Sequence, residues 1–154
     1  MIQIEWEVKL FKALDTYELY EILKLRVDVF VVEQTCPYPE ADGKDTHPET
    51  LHLVGRNQDN KIVAYSRILP PGLSFNQVSL GRVVVEKNSR GKGISYAMLE
   101  KALDQIRLTW PGGNIRIGAQ VYLKAFYQSH GFEPVSETYL EDGIPHIDMV
   151  KKNR

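Results

Sequence analysis

Strict alternation opens the chain. Ile2, Ile4, Trp6 and Val8 fall on one side of an extended segment and Gln3, Glu5 and Glu7 on the other, the period-two pattern of a strand with one buried face. Asp15 then offers an N-cap oxygen, and Glu18, three residues on, can reach back to the cap amide, so a capping box starts a helix. Leu19, Ile22, Leu23, Arg26 and Phe30 follow at helical spacing and carry the helix from Thr16 to Val32. From Glu33 to Thr50 the periodicity stops. Pro37, Pro39, Gly43 and Pro48 punctuate this stretch, and a loop of such length inside a compact domain is commonly functional. Leu51 to Arg56 and Lys61 to Leu69 flank Asn57, Gln58, Asp59 and Asn60, which reads as a β-hairpin closed by Pro70, Pro71 and Gly72.

The second half alternates strand and helix. Val78 to Glu86 is a mostly apolar strand, and Gly93 to Leu108 is a helix with Leu99, Ala102, Leu103 and Ile106 on one stripe. Asn114 to Ala119 is the next strand, so the order predicts a βαβ crossover, with Trp110, Pro111, Gly112 and Gly113 stopping the helix. Leu123 to His130 forms a short helix ended by Gly131 at a C-cap position. Two last strands, Glu133 to Tyr139 and His146 to Lys151, bracket Glu141, Asp142 and Gly143. The expected fold is α/β of the α+β type: a mixed, partly antiparallel sheet of about seven strands with helices on both faces. No repeat or linker divides it, so residues 1–154 form one domain.

Composition narrows the class. With 19 Lys plus Arg against 20 Asp plus Glu the net charge is −1, which argues against a polybasic nucleic-acid binder. No apolar run approaches the roughly 18 residues of a membrane span, and Glu5, Glu7 and Lys9 interrupt the apolar core that a secretory signal needs. Cys36 is the only cysteine, so a disulfide or thiolate cage cannot form within one chain, and a reducing, cytoplasmic setting is expected. His47, His52, His130 and His146 show no pair at metal-ligand spacing, so no metal is expected.

The segment from Glu86 to Ser95 carries the most chemistry. A strand ends, Ser89, Arg90, Gly91, Lys92 and Gly93 follow, and a long helix begins. The opening turn of a helix leaves amides unpaired at the positive end of its dipole, and glycines let a phosphate approach that backbone. A Walker loop would need a glycine four residues before its Gly-Lys pair, and a Rossmann fingerprint a third glycine where Tyr96 stands, so both fail.

This loop resembles the acetyl-CoA loop of the GCN5-related N-acetyltransferases, (Gln/Arg)xxGx(Gly/Ala), with Arg90, Gly93 and Ser95 at its fixed positions and Ser95 as the one departure. Ala125 to Phe132 is similar to the superfamily's second signature, with Tyr127 at its recurrent tyrosine. Val29 to Tyr38, Gly118 to Gln120 and Glu141 to His146 resemble the ElaA group of predicted acyltransferases.

The resemblance implies acetyl transfer from acetyl-CoA to an amine acceptor, small-molecule or peptidyl. It implies Arg90, Gly91, Lys92, Gly93, Ile94 and Ser95 at the diphosphate, and main-chain atoms of Val83, Val84 and Val85 along the pantetheine arm, where the fourth strand splays from the fifth. A main-chain amide of that strand is then placed to stabilise an oxyanion. Tyr127 becomes the acid for the departing thiolate, since a phenol of pKa about 10 is protonated at neutral pH. The amine needs a base, for which Glu33, Glu86, His52 and His146 are available, with Glu33 and His146 placed to border an acceptor pocket. Arg26, Phe30, Asp42, Asp45 and Arg67 are arranged somewhat like the N-terminal half of acyl-homoserine-lactone synthases, which marks Arg26, Asp42, Asp45 and Arg67 as acceptor-binding residues. The same residues also suit ion pairs that pin the loop to the sheet. The alternatives to amine acetylation are lactone-synthase chemistry and an acyl-CoA sensor without turnover.

Overall fold

The capping box forms: the Asp15 carboxylate accepts from the Glu18 amide at 2.7 Å, and the Glu18 carboxylate accepts from the Asp15 amide at 3.3 Å. The structure, a computed structural model, describes residues 3–153, so Ile2 of the opening alternation lies outside it. Strand β1 (Glu5–Leu10) precedes helix α1 (Thr16–Arg26). The chain then does not continue as α-helix to Val32. It widens over Val27–Glu33 into π-type turns that end with Gln34 N–H to Val29 O and Cys36 N–H to Val31 O, both at 3.0 Å. Four β-branched valines in this stretch crowd a regular α-helical turn, and wide turns of this kind occur mostly at functional sites.

Strands β2 (Leu51–Arg56), β3 (Ile62–Leu69) and β4 (Ser79–Val85) extend β1 into an antiparallel sheet of order β1-β2-β3-β4. After α2 (Ile94–Thr109), β5 (Ile115–Gln120) enters a second antiparallel sheet. Short α3 (Lys124–Gln128) leads to β6 (Glu133–Pro134), β7 (Tyr139–Glu141) and β8 (Ile144–Lys151), with β8 lying between β5 and β6 and also pairing β7. One expected strand, Glu133 to Tyr139, is thus two short ones. The crossover places β5 beside β4 as expected, but the parallel pairing is reduced to one bridge, Val78 with Ile115, supported by Arg116 N–H to Val78 O at 2.9 Å. Beyond that bridge the two strands diverge.

Each helix covers its own face. Met98, Leu99, Ala102, Leu103 and Ile106 of α2 pack with Leu53, Ala64, Ile68, Leu80, Ile117 and Met149, while Ile22, Leu25 and Val29 pack with Val54, Tyr65 and Val84 on the other side. At the outer edge Trp6 lies opposite Gly55, so closely that a Cβ on Gly55 would stand 2.6 Å from the indole. No helix among the described residues is long and apolar enough to cross a membrane.

Candidate functional site

The acidic loop after α1 is held by three arginines. Arg26 is buried, and its guanidinium grips both Glu40 oxygens (2.5 and 2.9 Å) and Asp45 (2.7 Å). Arg67 binds Asp42 through two parallel bonds of 2.8 Å and shares Asp45 at 3.1 Å. Arg82 closes the ring onto Glu40 at 2.6 Å and Asp42 at 3.3 Å. Burial pushes the Asp42 and Asp45 carboxyls up, but the arginines beside them outweigh it and hold both below the usual carboxylate range. Arg26, Asp42, Asp45 and Arg67 therefore come together, yet none lines the cavity described next; in this structure they tie the loop to the sheet. His52 belongs to the same network: Nε2 donates to Asp45 O at 3.0 Å and Nδ1 accepts from the Tyr65 hydroxyl at 2.7 Å. Burial lowers its pKa, so it stays neutral.

A cavity of about 530 Å³ opens where β4 and β5 part. Its walls include Val83, Val84 and Val85 of β4, Ile117 to Gln120 of β5, Phe30 and Glu33 from the wide turns, and Tyr127 and His146. A register shift between Tyr65 and Arg67 of β3 leaves Arg82 as an extra residue on β4, with φ of +51°. Glu86 donates its amide to Val63 O at 2.8 Å, so by antiparallel alternation Val84 also faces β3. Val83 and Val85 turn their backbone groups to the open side, and Val85 O accepts there from Arg90 Nε at 3.0 Å.

The turn before α2 keeps its donors free. Gly93 is the N-cap with φ of +78°, no side chain caps the helix, and Gly91 has the same φ. A Cβ at either glycine would meet nothing within 4 Å, so an approaching group finds open space over the first-turn amides of Ile94, Ser95 and Tyr96. Arg90 and Ser95 line the cavity, whereas Gly91, Lys92, Gly93 and Ile94 flank it; Lys92 is exposed. Arg90 is not a free cation. Its guanidinium holds both Glu33 oxygens at 2.7 and 3.0 Å, and this pairing depresses the Glu33 carboxyl.

Tyr127 is buried against Phe126 and Phe132, and its hydroxyl has no hydrogen-bond partner among the described residues; burial raises its pKa. His146 stacks on Tyr139, donates from Nδ1 to Ile144 O at 2.7 Å, and places Nε2 3.4 Å from Glu141. A carbonyl only accepts, so the neutral ring carries its proton on Nδ1 and keeps the Nε2 lone pair. Glu86, by contrast, is engaged by Lys61 at 2.7 Å and lies outside the lining. Cys36 also lines the cavity, with its thiol 3.4 Å from Asp142 O. Arg82 and Tyr38 are the members of this region that sequence reasoning missed, whereas Glu40 belongs to the loop acids, with Asp42, Asp45 and Glu49, expected to draw a cationic amine. Arg82 sits in an apolar strand with no spacing to mark it, although an arginine facing an acidic loop is itself a signal.

The described residues contain no group of three His, Cys, Asp or Glu side chains placed to hold a metal. A family model described as an acetyltransferase (GNAT) domain matches residues 21–153. The chain is 42% identical over 149 residues to protein ElaA of Escherichia coli, covering 97% of both chains. Among solved structures, an acyl-CoA N-acyltransferase from Pseudomonas aeruginosa superposes with a TM-score of 0.92 at 42% identity, covering 97% of this chain and 99% of that one. Escherichia coli ElaA gives 0.91 at 41%, covering 97% and 100%.

Proposed function

The chain belongs to the GNAT acetyltransferase family, in its ElaA-like group, and from that premise we propose that it moves an acetyl group from acetyl-CoA directly to an amine. One observation carries this reading: a splayed β4 edge, joined to β5 by a single bridge, and an unpartnered tyrosine hydroxyl share one cavity beside an uncapped, glycine-lined helix start. The amides of Ile94 and Ser95, with Gly91 and Gly93 giving access and Lys92 adding charge, suit a diphosphate. Backbone groups of Val83 and the Val85 amide suit an extended pantetheine arm, which pairs as an added strand would, while Val85 O is taken by Arg90. Acetyl-CoA supplies an acyl carbon activated by its thioester.

Two protons then have to move. The amine nitrogen forms the new C–N bond and loses a proton, and the sulfur leaves with the C–S electron pair and takes one. His146 is the better of the two base candidates, because its Nε2 lone pair borders the cavity whereas Glu33 is tied to Arg90. Once protonated, the ring has Ile144 O and Glu141 as acceptors on its two nitrogens. Tyr127, kept protonated because burial raises its pKa, lines the cavity with a free hydroxyl and donates to the departing sulfur. Glu141 and Asp142 at the rim draw a cationic acceptor inward. A cytoplasmic setting fits a chain whose one thiol is free.

The test is thiol release from acetyl-CoA across a panel of amines, with Tyr127→Phe alongside. The expected result is release with some amines and a fall in kcat for the variant. Acetyl-CoA binding without release for any amine would make the domain a sensor. Product only with S-adenosylmethionine plus an acyl donor would make it a lactone synthase.

A further inference from the structure

Four non-glycine residues among those described have positive φ. Thr35, Asn60 and Asp142 lie in turns or bends between elements, but Arg82 lies inside a strand. A residue with a Cβ holds that conformation only where its surroundings impose it. The surroundings here are specific. Arg82 donates to Glu40 Oε2 at 2.6 Å, to Glu40 O at 3.0 Å and to Asp42 Oδ2 at 3.3 Å, and its guanidinium lies over the Tyr38 ring at 5.4 Å. Glu40 and Asp42 are themselves fixed by Arg26 and Arg67. The next residue, Val83, turns its amide to the open side of β4, into the cavity.

We infer that Arg82 is a positioning residue: its anchorage to the acidic loop holds the β4 bulge and thereby aims the Val83 amide at the reacting carbonyl oxygen. The inference rests on the acetyl-transfer reading and adds to it the residue that sets this geometry. Removing Arg82 leaves Arg26 on Glu40 and Arg67 on Asp42, so the loop stays tied while the bulge is released to relax toward ordinary strand dihedrals. An amide displaced by about 1 Å loses up to about a hundredfold in rate, without altering the phosphate loop.

The experiment uses the full chain and two variants, Arg82→Ala and Arg82→Lys. Steady-state kinetics with the best amine are combined with coenzyme A titration and with amide spectra of the 15N-labelled protein, recorded against an acetyl-CoA analogue whose sulfur is replaced by methylene. Arg82→Ala is expected to lower kcat about ten- to a hundredfold while the coenzyme A dissociation constant stays within about twofold. The Val83 amide should respond to the analogue in the unsubstituted chain and not in Arg82→Ala, with Ile94 and Ser95 responding in both. Arg82→Lys should fall between them, because an ammonium keeps the charge but not the planar fork; it also serves if the alanine variant does not fold. Unchanged kcat and an unchanged Val83 response in the variants would overturn the inference alone. Silent Ile94 and Ser95 amides in the unsubstituted chain would overturn the acetyl-CoA reading and the inference with it.

Discussion

The acidic loop and the turn before α2 both gather charge and polar backbone, and they use them in opposite ways. In the loop, Glu40, Asp42 and Asp45 meet Arg26, Arg67 and Arg82 in a ring of ion pairs that leaves the buried Arg67 Nε as its one orphan donor among the described residues, and the histidine beneath has both ring nitrogens engaged. In the turn, Gly91 and Gly93 expose amides that no described side chain caps. Satisfied polar groups are structural, whereas a folded protein that leaves donors pointing into open space has kept them for something else. The contrast moves attention away from the most charged part of the sequence and toward one of its least adorned.

Arg26→Ala should have the largest effect on stability. It leaves Glu40 and Asp45 facing a vacated, nearly inaccessible site, where loss of one buried partner typically costs about 3–5 kcal/mol, read as a lowered urea midpoint. Tyr127→Phe should touch only chemistry: kcat falls about a hundredfold while the coenzyme A dissociation constant, measured by calorimetry, holds. Gly93→Ala should weaken coenzyme A binding about tenfold and stability by about 1 kcal/mol, since the strain of φ +78° falls on the turn itself. Acid separates the regions too. Asp42 and Asp45 have folded pKa values below their unfolded ones, so their stabilisation is complete above the unfolded value of about 4 and is lost as the pH falls through the folded values. A urea midpoint that drops below about pH 4, with a smaller drop in Asp42→Asn, would sharpen that point. Smallest of all, Glu33→Gln should change stability by under about 1 kcal/mol, because its pairing with Arg90 is partly exposed.

Local rules made much of this legible in advance. The Asp15–Glu18 box, the hairpin turning at Asn57 to Asn60, the α2 stripe and Gly131 after α3 all depend on residues a few positions apart, and each stands where the spacing predicts. What the sequence did not disclose is non-local. The bulge at Arg82 is a mismatch between two strands, visible only once Tyr65 is set against Val84 and Arg67 against Gly81. The ring of charges joins residues up to 42 positions apart, and loop acids could be matched with sheet arginines in several ways before folding selects one. The wide turns after Arg26 also escaped, because the same valines satisfy a helical period whether the backbone closes in α or π fashion.

Cys36 gives the chain a gauge of its own occupancy. Its sulfur, the single thiol in the sequence, sits in the cavity wall with its hydrogen directed at the Asp142 carbonyl. The thiol is buried in that wall, so alkylation by iodoacetamide first requires the wall to open, and a molecule lodged against it slows that opening further. Colorimetric reagents that count free sulfhydryls count this one once the chain is unfolded, and in the folded chain its burial holds it back.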